Sequence, residues 1–219
     1  MCDFLSAIVL KNGDVLHNLK IDSHEELIKL NNLRDNREGN FARVEFSPIS
    51  NNYDKPKKYV FKIDESITLD WFNDSMKEKT ISKLSSIIKR MIVTKNTPLL
   101  KDGVFILSDS VIVDEIRDCF IKAMCGSSKV VKMCGSSKVD YMHDSSKIVN
   151  MHDSSKVEHM WDSSKVGIMW DSSKVEHMYG SSKVDYMYGS SKVGIMWNSS
   201  KIGFMHDSSE IENPPIKAI

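Results

Sequence analysis

The residue nearest the start of this chain with nucleophilic chemistry is Cys2. If Met1 were removed, Cys2 would carry both a thiol and a free amine, the pair used by N-terminal-nucleophile enzymes. No glycine-rich oxyanion stretch follows, and the region before the repeats described below is too short for the layered sandwich of those enzymes. The pattern therefore favours Cys2 as a residue leading into the first strand, and we expect no catalytic residue.

Cysteine and histidine also recur nine residues apart at Cys125, Cys134, His143 and His152. This spacing is unlike any compact zinc motif. Stacked coils would bring Cys125 beside His143 and Cys134 beside His152, which supplies only two ligands on each face. The sequence therefore predicts no metal site and no cofactor.

A lysine recurs at the same position of every repeat, and Lys156, Lys165 and Lys174 are candidate binding residues. Basic rows beside aromatic rings are typical of proteins that bind single-stranded nucleic acid or nucleotides. Exposed lysines also keep a repeat array soluble and discourage edge pairing. Acidic residues such as Glu158 and Glu176 counter the lysines, which disfavours nucleic acid as the partner.

Large aromatic residues are the strongest binding feature of the sequence. The candidates are Trp161, Trp170, Tyr179, Tyr188 and Trp197, each of which follows a methionine. If the methionines are buried, strand alternation points these neighbours outward, and a row of exposed Trp and Tyr is typical of interfaces. In a second interpretation the rings lie flat along the rod and stabilise it by stacking. The sequence leaves both interpretations open.

All these residues belong to a nine-residue repeat that runs without insertion from Met124 to Glu210. Each unit contains Gly, Asp or Asn, then Ser-Ser-Lys, Val or Ile, two variable residues, Met and a ring or its substitute. The apolar positions give no continuous helical stripe, and the unit is too short for two helices. A parallel β-solenoid with two units per coil fits, with odd and even repeats on opposite faces.

The N-terminal region predicts a small α+β domain, residues 1–103, followed by the solenoid, residues 104–219. A strand leads to the hairpin signal Asn12-Gly13, and a capping box at Ser23 opens a helix. Two alternating segments, 41–46 and 58–63, predict a strand pair, and a long amphipathic helix is expected at 70–91. Segments 108–112 and 118–124 resemble the repeat in the same frame and predict terminal capping copies.

Composition indicates a reduced, cytoplasmic protein. Lys and Arg total 30 and balance 30 Asp and Glu, so overall charge indicates neither nucleic acid nor membrane as a partner. No apolar run reaches the length of a membrane span, and the start lacks a signal peptide. Four cysteines in a chain of 219 residues do not make a disulfide framework.

The chain resembles a family found in phages and gut bacteria. Its members share a start like MCDFLSAIVLKNGDVLH, a segment like SHEELI, a strand like FARVEF and an array of MWDSSKVGx-type nonapeptides. The match covers nearly the whole chain. The resemblance implies a phage or prophage accessory protein acting in the host cell, and it brings no catalytic residue.

We therefore expect a non-enzymatic binding or scaffold protein that engages, and can inhibit, a host protein through the aromatic and lysine rows. A nucleotide or nucleic-acid binder using the same rows is the first alternative. A Cys2-dependent enzyme is the second. Homo-oligomerisation stays open.

Overall fold

The structure, a computed structural model, describes residues 4–34, 39–65 and 69–213. The chain divides into two compact units, residues 1–90 and residues 91–219. The first contains an antiparallel sheet and helices, and the second a parallel β-solenoid of about 7 turns between residues 92 and 213. This arrangement confirms the fold class predicted from the sequence. Cys2 lies outside the described residues.

The sheet of the N-terminal unit has four strands. They are β1 (Ser6–Leu10), β2 (Val15–His17), β3 (Phe41–Pro48) and β4 (Tyr59–Ile63), in the antiparallel order β2-β1-β3-β4. Strands β1 and β2 meet at the predicted turn, where Gly13 has a φ of 87° that a side chain would strain. Strands β3 and β4 pair as the two alternating segments predict, with the short 3-10 helix Pro56–Lys58 between them.

The first helix, α1, spans His24–Leu30 and covers one face of this sheet. The Ser23 side chain accepts the Glu26 N–H at its N-terminus, as the capping box predicts. The core on this face consists of Ile8, Leu27, Ile28 and Phe41.

The second helix, α2, spans Asp74–Met91, within the predicted range. It begins at Asp74 because the Asn73 side chain accepts the Met76 N–H at 3.0 Å and caps the helix. Its buried residues recur at helical spacing and are Thr80, Leu84, Ile87, Ile88 and Met91. In the described part of the chain, no helix has both the length and the apolar character that crossing a membrane requires.

Two parallel sheets form the solenoid, and successive strands alternate between them. The odd sheet has eight strands: β5 (Ile92–Val93), β7 (Val104–Leu107), β9 (Phe120–Met124), β11 (Lys138–Met142), β13 (Lys156–Met160), β15 (Lys174–Met178), β17 (Lys192–Met196) and β19 (Glu210–Asn213). The even sheet has seven strands: β6 (Thr97–Lys101), β8 (Ile112–Arg117), β10 (Lys129–Cys134), β12 (Lys147–Met151), β14 (Lys165–Met169), β16 (Lys183–Met187) and β18 (Lys201–Met205).

The register aligns each repeat with the second repeat after it. Val139 lies opposite Val157, and Met142 lies opposite Met160. Contacts between neighbouring coils, such as the hydrogen bond from the Gly135 N–H to Asp153, join residues 18 positions apart. Two nonapeptides therefore make one coil, as the sequence predicts.

Valine and methionine columns fill the interior of the coil. Every Val or Ile from Val130 to Val193 and every Met from Met124 to Met187 at these positions has no exposed surface. At about 25 cal/mol per Å² of buried apolar area, burial of this continuous core stabilises the rod. It fixes which residues of each unit remain for the surface.

Parallel pairing begins earlier in the chain than the repeat does. Ile92 already lies opposite Ile106, and Leu100 lies opposite Ile116. These first strands carry apolar residues without the Ser-Ser-Lys signature, so the repeat pattern does not reveal them. The frame expected for segment 108–112 is also wrong: Val113, one residue later than expected, lies opposite Val130.

Candidate functional site

The corners of the coil position the aromatic residues. The first residue of each repeat adopts the left-handed conformation, with φ of 57° at Asp162 and 64° at Gly180, which explains the restriction to Gly, Asp and Asn. Aspartates at this position also tie coils together, because the Asp162 carboxylate accepts the Asp144 N–H at 3.1 Å. The residue just before each such corner is therefore held in the same place in every coil.

That residue forms two columns, one at each corner of the coil. The odd column follows the odd strands and contains Cys125, His143, Trp161, Tyr179 and Trp197. The even column follows the even strands and contains Cys134, His152, Trp170, Tyr188 and His206. The predicted aromatic binding residues are thus divided between two opposite corners, as two repeats per coil require.

The rings in each column stack face to face along the rod. In the odd column, the centroids of Trp161 and Tyr179 are 4.0 Å apart with planes 10° from parallel. In the even column, Trp170 and Tyr188 are 4.5 Å apart at 15°. Such offset stacks contribute about 0.5–1.5 kcal/mol beyond simple burial. The rings therefore lie flat along the rod, as the second interpretation expects, and their contribution to stability stays a prediction.

The same rings keep part of their surface open. Trp161 and Trp170 are each 36% exposed and Trp197 is 51% exposed, whereas Tyr179 and Tyr188 are half-buried. Stacking covers the ring faces and leaves outer surface available. The columns are at once structural and available for contact.

A third row of rings, which the sequence analysis missed, lies beside the odd column. Tyr141, His159 and His177 occupy the same outward position of consecutive odd strands and stack at 5.3 and 5.0 Å. His177 also contacts Tyr179 of the odd column, with centroids 6.1 Å apart. The signal was present in the sequence, because residues two repeats apart must align once the coil is known.

The environment affects the pKa of two histidines in these rows, His143 and His159. Burial lowers the pKa of His159, and the neighbouring His177 lowers it further. Burial also lowers the pKa of His143, against the opposing effect of Asp162. The Nδ1 atoms of His159 and His177 are buried without a hydrogen-bond partner. The odd column and this third row are here called the aromatic patch, and the fold favours the neutral form of His143 and His159 within it.

Lysines of the odd sheet are paired with carboxylates. Lys156 Nζ lies 3.1 Å from Glu158 and 2.7 Å from Glu176, and Lys174 lies 3.1 Å from Glu176. Burial raises the pKa of Glu158, but hydrogen bonds from Lys138 and Lys156 outweigh it, so the pKa is lowered. Two of the three predicted lysines therefore belong to a zipper of alternating charges.

The even sheet has fewer acidic residues. Lys165 and Lys183 share Asp185, at 2.5 and 2.9 Å. Among the described residues no ion pair involves Lys129, Lys147 or Lys201. The even sheet consequently carries the more basic of the two outer faces.

Burial disfavours the reactive thiolate form at two of the cysteines. Burial raises the pKa of Cys119 to about 11 and also raises that of Cys134. The Cys and His pairs expected to share a column do so, yet the described residues form only one cluster of three potential metal ligands. That cluster is His24, Glu45 and Asp64 in the N-terminal unit.

Comparison with known proteins adds no assignment to this geometry. No protein-family model, curated protein or solved structure matches the chain.

Proposed function

We propose that this chain is a non-enzymatic binding protein whose solenoid engages a protein partner through its aromatic columns. The observation that carries the proposal is the exposure of Trp161, Trp170 and Trp197, at 36%, 36% and 51%. Tryptophans held rigid by stacking lose little conformational freedom on binding, and Trp is enriched among residues that dominate interface energy.

The charges around the aromatic patch support a protein as the partner. Lys138, Lys156 and Lys174 are each within 3.1 Å of a carboxylate, so this face presents little net positive charge to a phosphate backbone. An apolar centre with a paired, polar border is the usual anatomy of a protein–protein interface.

A second candidate is the binding of single-stranded nucleic acid by the even sheet. Lys129, Lys147 and Lys201 lie in one register column of this sheet, whose outer face also carries exposed Tyr186 and Phe204. Lysines beside stackable rings are the arrangement that such ligands use. This candidate requires a different face from the first, so the two can be separated by substitution.

The proposal includes the setting that the family resemblance implies: a phage or prophage accessory protein that binds a host protein in the host cytoplasm. The buried thiols of Cys119 and Cys134, which form no disulfide, support a reducing compartment.

Trp→Ser is an unsuitable test of binding, because it removes a stacked ring and so lowers the stability of the rod as well. This loss of stability can be measured. Trp161→Ser removes a ring that stacks on Tyr179 at 4.0 Å, so we expect it to lower the free energy of unfolding by about 1–3 kcal/mol. Trp161→His keeps a flat ring of the kind that His143 already supplies in this column. We expect it to cost less than half as much in urea denaturation, and equal losses for the two variants would show that stacking contributes little.

The experiment that tests the proposal is affinity capture with matched baits. The test bait carries Trp161→His, Trp170→His and Trp197→His, and the control bait carries Leu30→Ser and Leu99→Ser, two exposed apolar residues outside the columns. Since Trp anchors contribute about 2 kcal/mol each, the test bait should lose its partner while the control retains it.

Salt separates the two candidates. A protein partner held by the aromatic columns should remain bound when salt rises from low to high concentration, whereas nucleic acid should be released steeply. A folded test bait that keeps its partner would remove the aromatic columns from the mechanism. The second candidate would be established if the triple variant Lys129→Ser/Lys147→Ser/Lys201→Ser lost the ligand and the Trp→His test bait kept it.

A further inference from the structure

Three side chains from separate elements of the N-terminal unit converge beside α1. His24 is the first residue of that helix, Glu45 lies in β3, and Asp64 follows β4. Each offers a ligand atom, and these atoms lie within 4.8 Å of one another. Two of the three are buried, since His24 is 5% exposed and Glu45 is 6% exposed. Burying such groups costs free energy unless a partner binds them.

The hydrogen bond of His24 shows which nitrogen faces the cluster. Its Nε2 lies 3.0 Å from the Val44 carbonyl oxygen, which only accepts, so Nε2 carries the proton. Its Nδ1 lies 3.4 Å from Asp64 Oδ2, also an acceptor. With the proton on Nε2, the Nδ1 atom carries the lone pair that binding a metal ion requires, and it faces the cluster.

The carboxylates of this cluster already face a cation. The Lys62 ammonium lies 3.4 Å from Glu45 and 3.9 Å from Asp64. Its side chain is 62% exposed, so a metal ion could take the place of the ammonium. A divalent ion would balance both carboxylates at once.

The geometry also fits a metal. A tetrahedral zinc ion with bonds of about 2.0–2.1 Å holds its ligand atoms about 3.3–3.4 Å apart. The distance of 3.4 Å from Nδ1 to Asp64 Oδ2 matches this spacing. The bond from Nε2 to a backbone carbonyl is the support that metal-binding histidines commonly have.

We propose that His24 Nδ1, Glu45 and Asp64 bind a divalent transition-metal ion, with Zn²⁺ or Mn²⁺ as the class that one imidazole and two carboxylates suit. The backbone holds the ligands in place: Glu45 pairs with Ser6 in β1 and Lys62 in β4, and the Asp64 N–H donates to Arg43 at 2.9 Å. Asp64 is 46% exposed, which gives the ion a path from solvent and leaves coordination positions for water. All three ligands belong to the N-terminal unit.

To test the site, the full chain is treated with a chelator and then titrated with zinc, and calorimetry measures the heat of binding. Zinc alone should bind with a Kd below about 10 μM, and Glu45→Gln or Asp64→Asn should weaken it by at least tenfold. Glu25→Gln, an exposed carboxylate on the same helix, should leave it unchanged. If Glu45→Gln fails to fold, Asp64→Asn decides, because this side chain is half exposed and keeps its shape.

Nitrogen NMR of His24 gives a readout that other thiols and imidazoles of the chain cannot imitate. Zinc should shift the Nδ1 resonance while Nε2 keeps its proton. No zinc effect at Nδ1, or binding that is the same in Asp64→Asn, would overturn the site.

Discussion

Val166 lies inside the coil, stacked between Ile148 and Val184, with no exposed surface. Val166→Asp would place a carboxylate within the apolar core of the coil. We expect a loss of several kcal/mol in the free energy of unfolding, enough to unfold the surrounding coils.

The matched control is Ile168→Asp, two residues along the same strand, where the side chain is only half-buried. It should change stability by less than about 1 kcal/mol. Urea denaturation followed by circular dichroism measures both. Similar losses for the two variants would contradict the assignment of interior and exterior positions.

Single residues also mark the limits of sequence analysis. The corner residues are predictable, because Gly, Asp and Asn at one position imply a left-handed backbone. His24, Glu45 and Asp64 are not, because they have no common spacing and meet only after two strands and a helix have packed. The pairing of Lys156 with Glu176 follows directly from the 18-residue coil, once that coil is assumed.

At the scale of the strand, the odd sheet contains a pH-sensitive row. Burial lowers the pKa of His143 and His159 below the ordinary value of 6.5. The folded state therefore favours the neutral rings. This stabilisation is complete above pH 6.5 and is lost as pH falls toward the lower folded-state pKa values.

We expect the Tm of the solenoid to fall between pH 7.5 and pH 5.5. In His143→Tyr/His159→Tyr the fall should shrink, since tyrosine occupies equivalent places at Tyr179 and Tyr141 and does not titrate in this range. His206→Tyr, at the exposed end of the even column, serves as control and should leave the fall unchanged. A double variant with the wild-type pH profile would show that these rings are as easily protonated in the fold as in the unfolded chain.

The strands differ in how far they could be predicted. Repeats with Ser-Ser-Lys align by inspection, and their burial pattern follows from Val and Met at fixed places. Strands β5 and β6 could not be found in this way, because Ile92–Val93 and Thr97–Lys101 carry apolar residues without the repeat's turn residues. The number of residues between paired positions in neighbouring coils is also smaller there than in the repeats, so a fixed 18-residue spacing misplaces β8.

At the scale of the whole solenoid, deleting two repeats and deleting one repeat should affect stability differently. Removing 153–170, two repeats, joins β12 to β15. Strands β13 and β15 have the same sequence, KVEHM, so Lys138 would meet Glu176 where it now meets Glu158. The interior and the charge zipper both persist, and the shortened rod should fold.

Removing 153–161, one repeat, moves every later strand to the other sheet. Lys138 would then lie beside Gly167 and lose its ion pair with Glu158. We expect this variant to be less stable than the two-repeat deletion by about 1 kcal/mol or more, as a chain of paired charges is broken. Urea denaturation of both variants measures the difference, and equal stability would mean that the two faces are interchangeable.

Hydrogen exchange of the intact chain tests the central claim most directly, namely that the nonapeptide array folds as coils of two repeats. The backbone N–H groups of Lys147, Lys156, Lys165, Lys174 and Lys183 each donate to a carbonyl of the preceding coil at 2.9–3.0 Å. The account predicts that all five exchange slowly and at similar rates, because a solenoid's coils support one another through their neighbours. Exchange at the rate of the same chain unfolded in urea would contradict it.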